Sequence, residues 1–272
     1  MKIGFIGAGN MAEAAIRGLI LGGYDGNDFL IYDTNHEKME KLSSEFGLHM
    51  ASTGDEVAQR AETLFLVVKP QVLPAVLADL APTIQQSKPF VVSIAAGIPL
   101  SVFEGYFTPS LPIARVMPNL AAKVGESMSA FCVNNAVSNG QKQTLQNILN
   151  AIGDAVELPE SQFDVFTAIA GSSPAFTLIY TDALATAGVK CGLSKDIALR
   201  SAAQAVVGTV RMLQESGEHP RALSDQVCSP AGTTIAGVAK LVEDGFEAAV
   251  YDAVCASFER SREFSGKHGA NS

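Results

Sequence analysis

The opening of the chain constrains its fold more than any other stretch. A short apolar run over residues 2–6 leads into Gly7-Ala8-Gly9-Asn10-Met11-Ala12, and apolar side chains at helical spacing follow. This is the pattern G-x-G-x-x-A between a strand and a helix, in which glycines allow a tight turn and the close approach of a pyrophosphate. The N–H groups at the helix start favour that anion. The pattern predicts a dinucleotide-binding unit; the alternative is a glycine-rich turn without a ligand.

Short β-type runs alternate with helical segments up to about residue 158. Parallel strands need crossover connections, so this alternation favours a doubly wound parallel sheet. The predicted strands are residues 2–6, 29–32, 64–68, 90–94, 113–117, 127–133 and 155–158, and the predicted helices are residues 11–21, 37–46, 55–60, 72–80 and 138–152.

The strand pattern ends after Pro159. Five helical segments follow, at residues 164–188, 194–216, 220–227, 233–243 and 246–264. We therefore predict an α/β protein in which an N-terminal Rossmann-type doubly wound sheet (residues 1–159) precedes an all-helical C-terminal domain (residues 160–272) for substrate binding and dimerisation.

The first of these helices is unusually apolar. Between Val165 and Val189 its only formal charge is Asp182, so the helix is expected to be buried on every side. Five helices alone hardly enclose such a segment. We expect a partner subunit to cover it, in an obligate homodimer or a larger homo-oligomer.

Composition excludes several functional classes. The net charge of -9 comes without a Lys/Arg cluster, which argues against a nucleic-acid partner and leaves small molecules. The four cysteines contain no C-x-x-C and the four histidines form no close pair, so neither a disulfide framework nor a metal site is predicted. We expect a cytoplasmic protein without a membrane span, because the N-terminus lacks a basic signal region and the longest apolar stretch is interrupted.

Several residues at the ends of predicted strands are expected to bind the cofactor. Asp33 lies where a carboxylate bonds the ribose hydroxyls of NAD, whereas Thr34 and Asn35 are placed either to contact a 2′-phosphate or to cap the next helix. The turns after two further strands are expected to border the nicotinamide half, with Lys69 either a wall of the active site or a solvated lysine. The 95–97 turn has a purely structural alternative. The candidate cofactor residues are Gly7, Gly9, Asn10, Met11, Asp33, Thr34, Asn35, Val68, Lys69, Pro70, Ala95, Ala96 and Gly97.

Six short motifs follow one another along the chain: Gly7-Ala8-Gly9-Asn10-Met11, Val68-Lys69-Pro70, Ser93-Ile94-Ala95-Ala96-Gly97-Ile98, Arg115-Val116-Met117-Pro118-Asn119, Gly171-Ser172-Ser173-Pro174-Ala175-Phe176 and Ser229-Pro230-Ala231-Gly232-Thr233-Thr234. Together, and in this order, they resemble the Δ1-pyrroline-5-carboxylate reductase family from residue 2 to about residue 264. The resemblance implies hydride transfer from NADPH or NADH to the C=N bond of a cyclic imine, giving L-proline, with NADPH moderately preferred.

The resemblance also implies a substrate site at the last motif. Ser229, Gly232 and Thr233 would bind the substrate carboxylate, and the hydroxyl of Thr234, the catalytic residue, would hydrogen-bond the imine nitrogen. The residues support this on their own, because a helix start presents N–H groups that suit a carboxylate. The alternative is an ordinary capped helix start.

Three positions depart from the family pattern: Leu120-Ala121 stands where Thr-Pro is common, and Ser173 and Ala231 stand where glycine is common. Ala231 matters most, since alanine disfavours positive φ. The segment 115–119 has a structural alternative in which Arg115 pairs a carboxylate.

Two rival functions stay open. A β-hydroxyacid dehydrogenase would need a lysine base on the buried helix, which has none before Lys190. A non-catalytic NAD(P)-binding regulatory protein would not need residues 229–234.

Overall fold

The structure is a computed structural model that describes residues 2–269. These residues form two compact units: unit 1 holds residues 2–171 and 258–269, and unit 2 holds Ser172–Ser257. The predicted boundary between residues 159 and 160 stays a prediction.

Unit 1 contains, within the described residues, one eight-stranded sheet with the strand order β3-β2-β1-β4-β5-β6-β7-β8. Neighbouring strands are parallel except β6 and β7, which are antiparallel. The strands are β1 (Ile3–Ile6), β2 (Phe29–Tyr32), β3 (His49–Met50), β4 (Thr63–Leu66), β5 (Phe90–Ser93), β6 (Ile113–Met117), β7 (Ser127–Val133) and β8 (Gly153–Glu157).

Helices cover both faces of this sheet. They are α1 (Asn10–Leu21), α2 (His36–Phe46), α3 (Gly54–Arg60), α4 (Leu73–Ser87), α5 (Leu100–Glu104), α6 (Asn139–Asn150) and α7 (Phe163–Phe166). Successive side chains of a strand point to opposite faces, so Phe5 packs with α1 and α6 in one apolar cluster while Ile6 packs with α3 and α4 in another. The predicted doubly wound architecture is confirmed. The strand β3 and the helix α5 were not predicted.

Unit 2 is helical, as predicted. Its helices are α8 (Ser173–Lys190), α9 (Lys195–Ser216), α10 (Pro220–Val227), α11 (Thr233–Glu243) and α12 (Phe246–Gly269), the last of which ends among residues counted with unit 1. The cluster of buried apolar side chains in unit 2 is small: Ala185 of α8 packs against Ala198 and Ala202 of α9.

The prediction of a single continuous helix over residues 164–188 is wrong. The chain instead forms α7, a π-helical turn over Thr167–Gly171, and then α8. Pro174 lies in the first turn of α8, where its missing N–H leaves no intrahelical bond unmade. In the single chain Leu178 and Ile179 of α8 are 70% and 71% exposed, so the predicted burial of this helix depends on a partner subunit.

Candidate functional site

The carboxyl ends of β1, β2 and β4 meet at one edge of the sheet, since Ile6 is in register with both Tyr32 and Leu66. A cavity of about 230 Å³ opens directly beyond these ends. Ligands of open α/β sheets bind at this edge. The cavity is lined by Ile6, Gly7, Gly9, Tyr32, Asp33, Thr34, Lys38, Val67, Val68, Lys69, Val72 and Val76.

The glycine loop is built to receive an anion. Gly7 adopts φ +112°, and a Cβ atom there would lie 2.4 Å from the carbonyl oxygen of Val67, so only glycine fits. The space beside Gly9 is open, and Gly9 caps α1 without any side-chain hydrogen bond. The first N–H groups of a helix have no intrahelical acceptor, so those of α1 remain for a ligand. The residues present therefore fit the pyrophosphate of a dinucleotide.

Asp33 is engaged by the backbone around the cavity. Its Oδ2 accepts a hydrogen bond from the N–H of Ala8 at 2.6 Å, and its Oδ1 accepts one from the N–H of Asn35 at 2.8 Å. The carboxylate thus fastens the glycine loop to the start of α2. The predicted ribose contact of Asp33 stays a prediction, but the structure adds this second role.

Three residues at or just before the start of α2 have two different roles: Thr34, Asn35 and Lys38. Asn35 caps the helix, its Oδ1 accepting a hydrogen bond from the N–H of Lys38 at 3.1 Å, and it does not line the cavity. Thr34 and Lys38 do line it, and both are exposed. The sequence analysis did not include Lys38 among the cofactor residues. Its position as a basic residue in the first turn of the helix after Asp33 could have indicated it.

The cavity brings together only part of the predicted cofactor set: Gly7, Gly9, Asp33, Thr34, Val68 and Lys69. It adds an apolar wall, Val72 and Val76, that the sequence reasoning missed. Outside its lining lie Asn10, Met11, Asn35, Pro70, Ala95, Ala96 and Gly97.

The turn after β5 lies next to the carboxyl end of β4, because Ser93 pairs in register with Leu66. Within it Ala95 is only 4% exposed and belongs to the apolar core, whereas Ala96 is exposed. Gly97 has φ +73°. A ligand at this turn therefore meets Ala96 and the backbone of Gly97, with Ala95 beneath them.

The predicted carboxylate site lies in unit 2 at the start of α11. Gly232 caps the helix with extended backbone and no side-chain hydrogen bond, and Ser229, Ala231 and Thr233 are exposed. The N–H of Gly232 donates to the carbonyl of Ser229 at 3.0 Å. The amides left for an anion are therefore those of the first helical turn, beginning with Thr233 and Thr234.

Ala231 adopts φ +56°, a left-handed conformation that disfavours residues with a Cβ atom. Alanine at this position therefore occupies the positive-φ conformation that its Cβ atom disfavours. The chain keeps the glycine-type turn and accepts the strain, which is of order 1–2 kcal/mol.

The Arg115–Asn119 segment has the structural role that the sequence left open. Arg115 is buried, its Nη1 lies 2.9 Å from Oε1 of Glu160, and its guanidinium carbon lies 4.6 Å from the ring centre of Phe163. Asn119 donates from Nδ2 to the carbonyl of Ala170 in the π-helical turn at 2.9 Å. Arg115 thus pairs a carboxylate and Asn119 holds the turn before α8.

The buried thiol of Cys132 and the remaining metal-binding side chains offer no second candidate among the described residues. Burial raises the pKa of the Cys132 thiol to about 12, so it stays protonated near neutral pH. Within the part of the chain that the structure describes, no three His, Cys, Asp or Glu side chains are grouped to hold a metal ion. Over the same part of the chain, no helix has both the length and the apolar character needed to cross a membrane.

Comparison with known families matches both units. The family model described as pyrroline-5-carboxylate reductase dimerisation matches residues 160–264. The one described as NADP oxidoreductase, coenzyme F420-dependent, matches residues 2–97.

Proteins named pyrroline-5-carboxylate reductase are similar to nearly the whole chain. Pyrroline-5-carboxylate reductase 3 of Rattus norvegicus is 39% identical over 266 residues, which cover 98% of this chain and 97% of that protein. Pyrroline-5-carboxylate reductase of Escherichia coli strain K12 is 38% identical over 265 residues, covering 97% of this chain and 98% of the relative.

Solved structures agree with the sequence comparison. The Plasmodium falciparum pyrroline carboxylate reductase, solved with NADP bound, superposes with a TM-score of 0.88 at 28% identity, covering 97% of this chain and 98% of that one. The Streptococcus pyogenes 1-pyrroline-5-carboxylate reductase gives a TM-score of 0.86 at 33% identity with the same coverage. The similarity therefore runs through both units.

Proposed function

The chain belongs to the pyrroline-5-carboxylate reductase family, and from that premise we propose which of its residues perform the family's reaction. The protein reduces the C=N bond of L-1-pyrroline-5-carboxylate to give L-proline, the last step of proline biosynthesis, with NADPH or NADH as the reductant. The six-motif resemblance is thus confirmed.

The substrate carboxylate is bound at the start of α11. The observation that carries this assignment is the glycine cap: Gly232 leaves the amides of Thr233 and Thr234 without a side-chain acceptor. Those amides, the hydroxyl of Ser229 and the positive end of the helix dipole together favour a carboxylate. The Thr234 hydroxyl donates or accepts a hydrogen bond at the ring nitrogen and orients the C=N bond.

The cofactor is held by unit 1. The reduced nicotinamide supplies the hydride when bound, so the task of the chain is to hold the cofactor and the imine and to align them. Gly7, Gly9 and the first turn of α1 bind the pyrophosphate, with Asn10 and Met11 flanking it. Val72 and Val76 pack against the adenine, and Ala96 and Gly97 leave room for a flat ring. Val68, Lys69 and Pro70 form the adjoining turn.

The chain prefers NADPH moderately over NADH. Thr34 and Lys38 line the adenosine end of the cavity, where a hydroxyl and an ammonium group suit a 2′-phosphate. Asp33 opposes that phosphate by charge, but both its oxygens already accept backbone hydrogen bonds. Asn35 contributes by capping α2, whose N-terminal dipole also favours the anion.

The protein is a homo-oligomer, since it carries the family's dimerisation domain. We assign the contact between subunits to the exposed apolar face of unit 2, in a homodimer or a larger assembly. That face includes a groove of about 520 Å³ lined entirely by apolar residues and Tyr180, among them Phe176, Ile179, Leu184, Phe246 and Val250. The same family match begins at residue 160, which supports the domain boundary between residues 159 and 160.

The proposed location is the cytoplasm. All four cysteines are free thiols, which suits a reducing compartment. Fractionation of the source cells with a specific antibody tests this assignment.

Replacing Thr234 tests the catalytic assignment. Thr234→Ala is expected to lower kcat/KM for the imine at least several-fold, because a neutral hydrogen bond contributes about 0.5 to 1.5 kcal/mol and ring orientation adds to it. Thr234→Ser keeps the hydroxyl and should retain most of the activity. Thr233→Ala removes the neighbouring side chain but keeps its amide, so it serves as the matched control. Steady-state kinetics are measured beside melting curves and NADPH titrations, and unchanged kcat/KM in a stably folded Thr234→Ala protein would remove Thr234 from the mechanism.

A further inference from the structure

The loop between β5 and α5, residues 94–99, is held by side chains far away in the sequence. We refer to these residues as the ring loop, because the proposed function places the nicotinamide ring beside Ala96 and Gly97. Residues on two sides of the ring loop fix its position: Glu160 on one side and the end of α12 on the other. All of them belong to unit 1.

Glu160 fastens the end of the ring loop where α5 begins. Its Oε1 accepts a hydrogen bond from the N–H of Leu100 at 2.8 Å and also contacts Nη1 of Arg115 at 2.9 Å. Arg115 lies on β6 and is only 7% exposed, so it holds Glu160 from a fixed strand. One carboxylate therefore ties the start of α5 to the sheet.

Asp164, one turn further along the chain from Glu160, binds the end of α12, which lies on the other side of the ring loop. Its Oδ1 accepts hydrogen bonds from the hydroxyls of Ser261 at 2.7 Å and Ser265 at 2.8 Å. Residues four apart lie on one face of a helix, so a single carboxylate oxygen fixes one full turn of α12. Both hydroxyls and the carboxylate are partly buried.

The turn of α12 that Asp164 fixes lies next to Gly97 of the ring loop. A Cβ atom placed at Gly97 would lie 3.4 Å from Cβ of Phe264 and 3.6 Å from the amide nitrogen of Ser265. The side of Gly97 where a Cβ atom would stand therefore faces the backbone and first side-chain atom of this segment, with room for one carbon atom between them. This helical turn is thus the neighbour of the ring loop on that side.

We propose that Asp164 is a positioning residue for the reaction: by binding Ser261 and Ser265 it holds α12 against Gly97 and so sets the place of the ring loop. This inference rests on the proposed function, which puts the ring loop beside the nicotinamide. Asp164 is not among the residues that line the cavity described above. Its effect should therefore fall on the alignment for hydride transfer and not on the affinity for the adenosine end.

The decisive comparison is between Asp164→Ala, which removes the acceptor, and Asp164→Asn, which keeps an acceptor oxygen. Thr144→Ala is the control, because the Thr144 hydroxyl donates to the Gly140 carbonyl of its own helix, α6, and so ties no second element. Amide hydrogen exchange over residues 94–99 is followed in the full-length protein without cofactor. NADPH affinity is measured by fluorescence titration, and kcat is compared with NADPH and with its C4-deuterated form.

In Asp164→Ala we expect exchange over residues 94–99 to be about tenfold faster, since a local opening is made easier. We expect kcat to fall about tenfold with a larger deuterium isotope effect, because small misplacement of reacting groups slows the chemical step. The NADPH Kd of Asp164→Ala should stay within about twofold of the wild-type value. In Asp164→Asn both the exchange rates and kcat should lie within about twofold of the wild-type values.

Unchanged exchange over residues 94–99 in folded Asp164→Ala overturns the proposal, as does an equal loss of NADPH affinity and kcat. If Asp164→Ala does not fold, the double variant Ser261→Ala/Ser265→Ala carries the same comparison. Failure of the proposed function is a separate outcome, because it shows as wild-type protein that does not reduce the imine, whatever the exchange rates are.

Discussion

The starts of α1 and α11 have nearly the same local geometry. Gly9 caps α1 with φ −77° and ψ −177°, and Gly232 caps α11 with φ −78° and ψ 170°, both without a side-chain hydrogen bond. Each leaves the amides of a first helical turn for an anion. The proposed anions differ: a pyrophosphate at α1 and the substrate carboxylate at α11.

The two helix starts differ in what supports them. Six residues of α1 are buried in the core of unit 1, and the loop before it is pinned between Val67 and Asp33. No residue of α11 is buried within the described part of the single chain. Local sequence therefore shapes both anion sites, but the core of the single chain supports only the site at α1. A second copy of the chain is the expected support for the other.

Substitution of the two loop glycines gives the largest expected effect and tests how firmly the first site is fixed. Gly7→Ala should lower the free energy of unfolding by about 3 kcal/mol, since it combines a strained φ with a clash against Val67. NADPH binding should weaken about 100-fold with it. Thermal melting and fluorescence titration measure the two quantities.

Gly9→Ala is the matched variant, because a Cβ atom there meets open space. It should leave the melting temperature nearly unchanged and weaken NADPH binding about tenfold, by occupying room needed for the pyrophosphate. If both variants lowered stability equally, the distinction between a packing glycine and a ligand glycine would be lost.

An acidic residue on the exposed face of α8 tests the support of the second site. Ile179→Asp should raise the dimer dissociation constant at least about 100-fold, because a carboxylate buried in an apolar contact costs several kcal/mol. Light scattering at micromolar concentration measures the association. Gln143→Glu on the exposed side of α6 is the control for added charge. An Ile179→Asp protein that kept its assembly would show that another surface joins the subunits.

Replacing Lys38 tests whether the first site also selects the cofactor. Lys38→Gln should lower kcat/KM for NADPH about tenfold and leave the value for NADH nearly unchanged, since it removes a charged partner of the 2′-phosphate. Lys41→Gln is the matched control, because Lys41 lies on the same helix but pairs with Glu13 at 3.5 Å. Equal losses with the two cofactors would argue against a phosphate contact.

Local patterns predicted most of this molecule. The glycine loop, most strands of the sheet and the bounds of α10 and α11 follow from periodicity and turn residues, which act over a few positions. The missed strand β3 has only two residues, His49 and Met50, too few to show a period. The interruption of the apolar stretch before α8 was recognised, but the π-helical turn over Thr167–Gly171 was not predicted, because apolar residues at helical spacing run on through it.

Long-range contacts account for most of what the sequence left unseen. Asp33 was read as a ribose ligand, but its bond to the amide of Ala8 depends on how β1 and β2 pair. The bonds from Asp164 to Ser261 and Ser265 join residues 97 and 101 positions apart. No local pattern encodes such pairs. The carboxylate site at α11 came from family resemblance and helix-start chemistry, and its residue roles remain predictions.

The smallest expected effect is that of Ala231→Gly, which removes the remaining difference between the loop at α11 and a glycine-rich anion loop. Alanine at φ +56° costs about 1–2 kcal/mol of strain, whereas glycine loses about 0.4 to 1 kcal/mol more backbone entropy on folding. The two terms largely cancel, so the melting temperature should rise by no more than a few degrees. KM for the imine should change less than about twofold, because the loop already holds the left-handed conformation before any carboxylate binds. Melting curves and KM values of the two proteins measure this, with Ala236→Gly within α11 as a control that should only destabilise the helix, by about 1 kcal/mol. A tenfold fall in KM for Ala231→Gly would mean that alanine distorts the site, and that the similarity between the two helix starts is confined to their caps.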